Sequence, residues 1–429
     1  MTTERWRPPG RPGRDPPVDG TGGSRALLRN RDFQALWTSR FFAGLGKESG
    51  EVAYPLLVLV LVGSAAQAGA IGAAQVATAM VAAVVGGALA DRANRRAVLL
   101  VCDLGRLALL ALFTALLFTG HASIPLVLGV AVCSAALTGI ANPVAMAAIK
   151  QLVPAAQLAD AAAQNQIRLF GTTALGAPVA GSLFNLGRAF PFVAETLTYL
   201  ASSVLLMSVR RPMQADRGDG GEWTLRGAVS GFAVLARHPI LRPMMAWILG
   251  FNLVFTKTGA FLAVIATAES QGASHLQIGV TVSLAGTGGL LGALVAGPVV
   301  RWVRPSTTFL VAAWSAPVGA LALLVAPNVV LLGVIVGCVF AVVPCANAVF
   351  YGYVAASVGD DLQGRVLGAV MFLAMLSQPV GILGIGIVFD RAGPGWVFLT
   401  MACVSGVAAL CSLTPVMRAL PHPEEVSVA

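Results

Sequence analysis

The amino-acid sequence predicts an all-α membrane protein with twelve transmembrane helices in two pseudo-symmetric six-helix bundles. Three observations predict this fold class. Apolar residues make up 57% of the 429 residues, charged residues make up only 11%, and the mean hydropathy is +0.80. The surface of a soluble domain needs far more charge than this. Long apolar runs also recur along the chain, and the longest polar interruption divides them evenly.

The apolar runs have the length of transmembrane helices, because crossing the hydrocarbon core takes roughly 20 mostly apolar residues. Frequent Gly and Pro are tolerated in such helices where neighbouring helices pack against them. The runs lack the period-two alternation of membrane β-strands. The twelve predicted helices cover residues 34–63, 68–90, 97–119, 124–147, 161–186, 189–209, 243–267, 278–300, 307–326, 329–354, 366–389 and 394–416.

Basic residues are distributed unequally between the two sides of this topology. With a cytoplasmic amino terminus, the cytoplasmic segments carry 22 of the 28 Lys and Arg, whereas the opposite loops carry only Arg188 and Arg391. This excess is the positive-inside pattern. It predicts a multi-pass protein of the inner (plasma) membrane with both termini in the cytoplasm. The net charge of +9 therefore needs no nucleic-acid partner, and membrane lipids are the expected surroundings.

The domain organisation follows from the longest polar interruption. We expect an amino-terminal bundle over residues 26–209, a cytoplasmic linker with an interfacial helix over 210–242 and a carboxy-terminal bundle over 243–416. Residues 1–25 are rich in Pro, Gly and Arg and predict a disordered cytoplasmic tail. Residues 417–429 form a second cytoplasmic tail.

No pattern in the sequence is typical of an enzyme. The six cysteines lie in apolar runs without a C-x-x-C spacing, and the four histidines are dispersed. The pair Gly46-Lys47 lacks the spaced glycines of a phosphate-binding loop. We therefore expect neither enzymatic activity nor a cofactor or metal, and an ion gradient as the energy source. The proton is the default coupling ion for carboxylates inside a membrane.

The turn between the second and third helices carries the most specific motif. Residues 87–96 read Gly-Ala-Leu-Ala-Asp-Arg-Ala-Asn-Arg-Arg and resemble the major facilitator superfamily signature G-x-L-A-D-R-x-G-R-R. Asn94 replaces the second Gly, so we expect it in a left-handed turn conformation. The resemblance implies a gate formed by Gly87, Asp91, Arg92, Arg95 and Arg96.

In that gate Asp91 would meet the amino end of the eleventh helix and close the inward side, because a helix dipole favours a carboxylate there. A solvated turn that follows the positive-inside rule is the alternative. It would explain the arginines but neither Gly87 nor Asp91.

Further segments are similar to one branch of that superfamily, the enterobactin-exporter and macrolide-efflux-like proteins. They lie at residues 27–33, 232–242 and 362–366, in the order in which the branch has them. The resemblance implies a secondary transporter that exports an amphipathic small molecule, such as a drug, siderophore or secondary metabolite, by proton antiport and alternating access. We expect a monomer. The alternatives are a nutrient importer of the same fold and a transport-dead receptor or membrane-embedded enzyme.

The fifth helix contains Gly176, Pro178 and Gly181, which resemble the exporter motif G-P-x-x-G-G with Ala177 and Ser182 in place of two glycines. Small residues let helix backbones approach closely, and Pro178 removes a helical hydrogen bond. Generic packing of small residues accounts for the same pattern about equally well.

Four charged residues fall at mid-depth, where a charged side chain is costly. Lys47, Glu48 and Glu51 lie roughly 20 Å into the first helix, and Lys257 lies at similar depth in the seventh. In the superfamily these two helices line the central cavity, so we predict that the four residues carry substrate recognition and proton coupling. Lys47 and Glu51 lie four residues apart on one helix face and can pair.

The branch usually has an Asp where this sequence has Lys47, so Glu48 or Glu51 would have to take the proton-binding role. Two alternatives are a permanent Lys47–Glu51 ion pair that only positions the helix, and two lysines that bind an anionic group. Among the remaining charges, Asp103 and Arg106 are expected to pair near the Asp91 turn as a gate or structural contact. Arg168 and Glu195 are candidates for substrate contact, and Arg365 is a candidate gating residue.

Overall fold

The computed structural model of the protein describes residue 27 and residues 29–154, 157–214 and 225–421. These residues form helices and contain no strand. The first half has α1 (Arg31–Val62), α2 (Ala65–Arg92), α3 (Arg95–Phe118), α4 (Ile124–Leu152), α5 (Leu158–Leu186), α6 (Phe190–Met207) and α7 (Leu225–Arg237). The second half has α8 (Leu241–Val254), α9 (Lys257–Ser270), α10 (His275–Trp302), α11 (Pro305–Leu324), α12 (Val329–Ser357), α13 (Asp360–Leu376), α14 (Gln378–Ala392), α15 (Pro394–Ala409) and α16 (Pro415–Arg418).

The predicted twelve transmembrane helices correspond to α1–α6, α8 with α9, α10–α12, α13 with α14, and α15 with the 3₁₀ turn that follows it, and their ends agree with the prediction to within a few residues. Eleven of these spans among the described residues are long and apolar enough to cross a membrane. The exception is α1, because its middle carries Lys47, Glu48 and Glu51. Large apolar side chains such as Leu112 and Met371 are exposed, as lipid-facing positions require.

The predicted seventh and eleventh membrane helices, 243–267 and 366–389, are each interrupted once in the structure. Phe255 and Thr256 separate α8 from α9, and the Thr256 hydroxyl accepts a hydrogen bond from the Gly259 backbone N–H at 2.9 Å, which caps α9. Ser377 separates α13 from α14, where Pro379 has no backbone N–H to donate. Both breaks lie near the middle of their spans.

Helix packing repeats between the two halves. The contact of α2 with α4 recurs as α10 with α12, and the contact of α3 with α6 recurs as α11 with α15. The halves meet through α2 with α14 and, symmetrically, through α5 with α10. This repetition gives two pseudo-symmetric six-helix bundles with a seam between them.

The two ends of α2 mark the two ends of the protein. Asp91 lies in the last turn of α2, so we call that side the Asp91 end. At its other end α2 meets Asp390 of α14, so we call that side the Asp390 end.

Part of the predicted linker and tails lies outside the described residues, namely residues 1–26, 215–224 and 422–429. Within the predicted linker, α7 packs against α13. The rings of Phe232 and Phe372 meet edge to face with centroids 6.0 Å apart. The linker helix therefore contacts the second bundle.

Candidate functional site

Two adjoining cavities lie between the bundles. The larger has a volume of about 830 Å³ and is bounded by α5, α8–α10 and α12. We call it the aromatic chamber, because its walls include Phe170, Phe251, Phe255, Phe261, Phe340 and Tyr351. The smaller has a volume of about 280 Å³ and is bounded mainly by α1–α4, α6 and α9. We call it the charged pocket, because its walls include Lys47, Glu51, Arg106, Glu195 and Lys257.

Lys257 and Gln378 line both cavities, so the two spaces meet at the breaks in the seventh and eleventh helices. Asn252 also lines the aromatic chamber. The chamber extends toward the Asp91 end, since its walls reach Ala163 near the beginning of α5 and Ala296 near the end of α10.

The structure brings the four predicted mid-depth charges together as one chain of ion pairs. Lys47 Nζ lies 3.1 Å from Glu51 Oε1 and 3.5 Å from Glu48 Oε1. The other oxygen of Glu48 accepts a hydrogen bond from Lys257 of α9. Thr258 donates its hydroxyl to Glu51 Oε2 at 3.0 Å. The order Glu51–Lys47–Glu48–Lys257 therefore connects the first bundle to the second.

Water in the cavities can reach this chain of charges. The side chains of Lys47, Lys257 and Glu51 keep 37%, 33% and 20% of their surface exposed. Partial exposure lowers the desolvation cost of each ion. The pairs are thus accessible to solutes that enter either cavity.

The backbone explains why Lys257 needs a carboxylate partner. Lys257 is the first residue of α9, so its ammonium lies near the positive end of a helix dipole. Glu48 offsets that repulsion from the opposite bundle.

Glycines of the predicted exporter motif make the close helix contacts of α5. An added Cβ at Gly176 would lie 2.6 Å from Glu48 Cβ, and one at Gly181 would lie 2.2 Å from the His275 carbonyl oxygen. Gly176 thus brings α5 against α1 at Glu48, and Gly181 brings α5 against α10 near the Asp390 end. Pro178 lies inside α5, and its carbonyl accepts the Ser182 hydroxyl at 2.7 Å.

Glu195 of α6 lines the charged pocket and is buried, with 2% of its surface exposed. Its Oε2 atom has no hydrogen-bond partner among the described residues. Arg168, the other predicted substrate contact, donates instead to Asn165 Oδ1 and to the Arg40 carbonyl. Arg168 is not among the residues that line the two cavities.

The predicted Asp103–Arg106 pair is wrong. Asp103 accepts hydrogen bonds from Arg40 and from the Ser202 hydroxyl, the latter at 2.7 Å. Arg106 donates to Ser134 Oγ at 3.1 Å, and its guanidinium lies 4.1 Å from the centre of the Tyr199 ring. Neighbouring helices supply nearer partners than the same helix does. Arg40 is one of the 22 basic residues counted in the cytoplasmic segments from the sequence, so this contact was missed.

The residues of the Asp91 turn do not form the closed gate that the resemblance implies. Asp91 and Arg92 are exposed, and Asp91 makes no hydrogen bond or ion pair with a described residue. Apart from the backbone of α2 itself, no described atom lies within 4 Å of the Cβ position of Gly87. The expected contact of Asp91 with the amino end of the eleventh helix is therefore not formed in this structure. Arg365 is exposed in the first turns of α13.

The other two arginines of the motif hold the turn in place. Arg95 is buried and donates to the carbonyl oxygens of Ala90, Ala147 and Met213 at 2.7, 3.2 and 2.9 Å. Arg96 donates to the Met207 carbonyl at the end of α6.

The expected left-handed conformation of Asn94 is wrong. Its φ of −64° and ψ of 107° are extended, and its side-chain oxygen accepts the Ala97 N–H at 3.2 Å. Asn94 is the amino-terminal cap of α3, a position for which Asn is among the preferred residues.

Asp390 makes the most direct polar contact between the bundles at the opposite end. Its carboxylate accepts hydrogen bonds from the Ser64 hydroxyl at 2.6 Å and from the backbone N–H groups of Ala65 and Ala66 at 2.8 and 3.0 Å. A carboxylate on the first N–H groups of α2 is favoured by the helix dipole. Sequence reasoning missed this residue. The only available signal was an acidic residue at the end of one apolar run and a Ser that precedes another.

Comparisons with known proteins agree with this architecture. The sequence profile of the Major Facilitator Superfamily matches residues 36–382. The chain is 28% identical over 377 residues to the multidrug efflux pump Tap of Mycolicibacterium fortuitum, which covers 84% of this chain and 90% of Tap. It is 22% identical over 382 residues to the uncharacterized MFS-type transporter YkuC of Bacillus subtilis (strain 168), which covers 85% and 87% of the two chains.

Three solved structures share the fold. The nucleoside transporter NupG superposes with a TM-score of 0.72 at 15% identity, over 91% of this chain and 100% of NupG. A D-xylose-proton symporter gives 0.67 at 16% identity, over 94% and 99% of the two chains. A bacterial homologue of the iron transporter ferroportin, in an inward-facing state, gives 0.66 at 12% identity, over 90% and 98%. The paired bundles, the broken helices at mid-depth and the profile match across most of the chain show that this transporter belongs to the Major Facilitator Superfamily.

Proposed function

We propose that this transporter exports an amphipathic small molecule in exchange for protons, by alternating access. The observation that carries the proposal is the chain of ion pairs from Glu51 to Lys257, which bridges the bundles beside a large aromatic chamber. Lys47, Glu48, Glu51, Lys257 and Glu195 would serve substrate recognition and proton coupling. Arg168 would support them from α5 by holding the backbone of α1 at Arg40.

The chamber favours an amphipathic cargo. Its volume of about 830 Å³ lies in the upper part of the range for small-molecule sites, about 300–1,000 Å³. Its walls are mostly apolar and include six aromatic rings, and the polar residues Asn252, Lys257 and Gln378 lie on the side that meets the charged pocket. An apolar body would fill the aromatic part, and a polar group of the cargo would meet Lys257. The likeness to the efflux pump Tap supports the export direction.

The contacts between the bundles support alternating access. Asp390 and Gly181 join the halves at the Asp390 end, while Asp91 is unpaired among the described residues at the other. We propose that this arrangement is the state open to the cytoplasm. In the opposite state Gly87, Asp91 and the arginines around them would close against the start of α13, near Arg365. The proposed orientation follows the positive-inside rule.

Transport by everted membrane vesicles tests the function. Vesicles that contain the protein, with an acidic interior, are expected to accumulate an aromatic dye, either cationic ethidium or anionic fluorescein, and to lose it when nigericin collapses the pH gradient. Uridine and D-xylose serve as nutrient controls. Proton-driven uptake of a nutrient by right-side-out vesicles, with no dye accumulation in everted ones, would favour an importer. Binding without any transport would favour a receptor.

A further inference from the structure

The three acidic residues near the charged pocket differ in their partners. Glu48 and Glu51 each lie against a lysine ammonium. None of the ion pairs among the described residues includes Glu195, although its side chain is only 2% exposed. Taking a carboxylate out of water without a cation is expensive, and such a group relieves the cost by binding a proton.

Glu195 lies against two glycines of α1, Gly46 and Gly50, which carry no side chain. An added Cβ at Gly46 would lie 3.2 Å from Glu195 Cγ, and one at Gly50 would lie 3.1 Å from Glu195 Oε2 and 3.3 Å from Tyr54 Cε2. The carboxyl group and the Tyr54 ring thus share the space beside Gly50. Both Glu195 Oε2 and the Tyr54 hydroxyl are buried without a hydrogen-bond partner among the described residues. Unsatisfied buried atoms of this kind are rare and need an explanation.

The charged residues that share the pocket with Glu195 are Lys47 and Glu51 on α1, Arg106 on α3 and Lys257 on α9, and each already has another partner. On α1, Lys47 is held by Glu48 and Glu51. On α3, Arg106 is hydrogen-bonded to Ser134 and lies over the ring of Tyr199, a neighbour of Glu195 on α6. Glu51 accepts the Thr258 hydroxyl and pairs with Lys47. Glu195 therefore makes no ion pair with a described residue, although Lys47 and Arg106 line the same pocket.

We propose that Glu195 binds and releases the coupling proton, while the four paired side chains Glu51, Lys47, Glu48 and Lys257 stay ionised. The inference rests on the proposed proton antiport. In this structure Glu195 is the neutral acid. A proton from water in the charged pocket adds to a carboxylate oxygen of Glu195, and on release the O–H bond breaks and the proton returns to pocket water. The carboxylate that remains requires hydration, which the buried position allows only when the pocket opens further.

Infrared spectroscopy of the full-length protein in lipid tests the protonation state without any cargo. A neutral carboxyl group has a C=O stretch that a carboxylate lacks. We expect the wild-type protein at neutral pH to show this band, and Glu195→Gln to lose it. The matched controls Glu48→Gln and Glu51→Gln should keep it, because both residues are ionised. A wild-type protein without the band, or a band that persists in Glu195→Gln, would overturn the inference.

A transport assay separates proton coupling from a structural role. Glu195→Gln is expected to lose dye accumulation driven by a pH gradient and to keep dye counterflow, which needs no net proton movement. Retained counterflow also shows that the variant is folded. Proton-driven accumulation that survives in Glu195→Gln would refute the role of Glu195. Absence of proton-driven transport in the wild type would instead refute the proposed antiport and leave the infrared result standing.

Discussion

Lys257 of α9 donates a hydrogen bond to Glu48 of α1 across the seam between the two bundles. The two residues are 209 positions apart in the chain. Each is unfavourable by itself, because Lys257 begins a helix and Glu48 is largely buried. Their pairing is therefore a contact that holds the halves together at mid-depth, next to both cavities.

Removing one charge of the Glu48–Lys257 pair should destabilise the protein more than removing both charges together. Glu48→Gln leaves Lys257 without its carboxylate, and we expect a loss of about 3 kcal/mol or less, since Lys257 is partly exposed. The double variant Glu48→Gln/Lys257→Met removes both charges and should recover most of that stability. Unfolding of the wild type, both single variants and the double variant in detergent measures the coupling. Additive effects of the two changes would show that the pair contributes no coupling energy.

Asp390 is expected to stabilise the state that is closed at the Asp390 end. Asp390→Asn removes a charge from the amino end of α2, where it contributes about 0.3–2 kcal/mol. Spin labels at the exposed positions Val62→Cys and Ala392→Cys, in a background without the native cysteines, should then report a larger population of long distances. Asp390→Glu is the conservative control. An unchanged distance distribution in Asp390→Asn would show that this cap does not hold the end closed.

Asp91 should act in the opposite sense. Because it has no partner among the described residues in this state, Asp91→Asn is expected to leave the state intact and to weaken the one closed at the Asp91 end. The same pair of labels should therefore show fewer long distances in Asp91→Asn. A shift toward long distances would contradict the assignment of Asp91 as a gate.

The close contact of α5 with α1 should tolerate no side chain at Gly176. Gly176→Val would push the added atoms into Glu48 and Ser49, so we expect a loss of about 1–3 kcal/mol from overpacking and a disturbed ion-pair chain. Gly171→Ala is a control on the same helix, because no described atom outside the backbone of α5 lies within 4 Å of its Cβ position. Thermal unfolding in detergent measures both. Equal stability of the two variants would argue against the tight contact.

Substitutions of the buried and the exposed arginine of the Asp91 turn should differ in their effect on the free energy of unfolding. Arg95→Ala would remove the three hydrogen bonds that Arg95 donates to backbone carbonyl oxygens, at a cost of about 1–3 kcal/mol. Arg92→Ala should change stability by about 0.5 kcal/mol or less, because Arg92 is exposed. Unfolding curves of the two variants compare the residues directly. A stable Arg95→Ala with impaired transport would instead indicate a mobile gating charge at Arg95.

Most residues of the site could be predicted from the sequence, because a charged side chain inside a membrane helix carries a high free-energy cost. A lysine and two glutamates in one apolar run, and a second lysine in another, are expensive in a membrane unless they share a cavity or partners. We could therefore predict, from this cost and from the resemblance to the superfamily, that the two lysines and two glutamates lie close together. The partners of Asp103 and Arg106 were not predictable, since spacing on one helix says nothing about Arg40 or Ser134 on its neighbours.

The sequence by itself determined the helical membrane fold, the number of spans and the positive-inside asymmetry, because hydrophobicity and net basic charge act locally along the chain. The tertiary structure alone decided which charges pair across the seam and where the seventh and eleventh helices break. It also decided that Glu195 makes no ion pair with a described residue, while Asp390 caps α2. Those features depend on the distances between helices that are remote in sequence. Such distances are set by how small residues such as Gly176 and Gly181 let backbones approach.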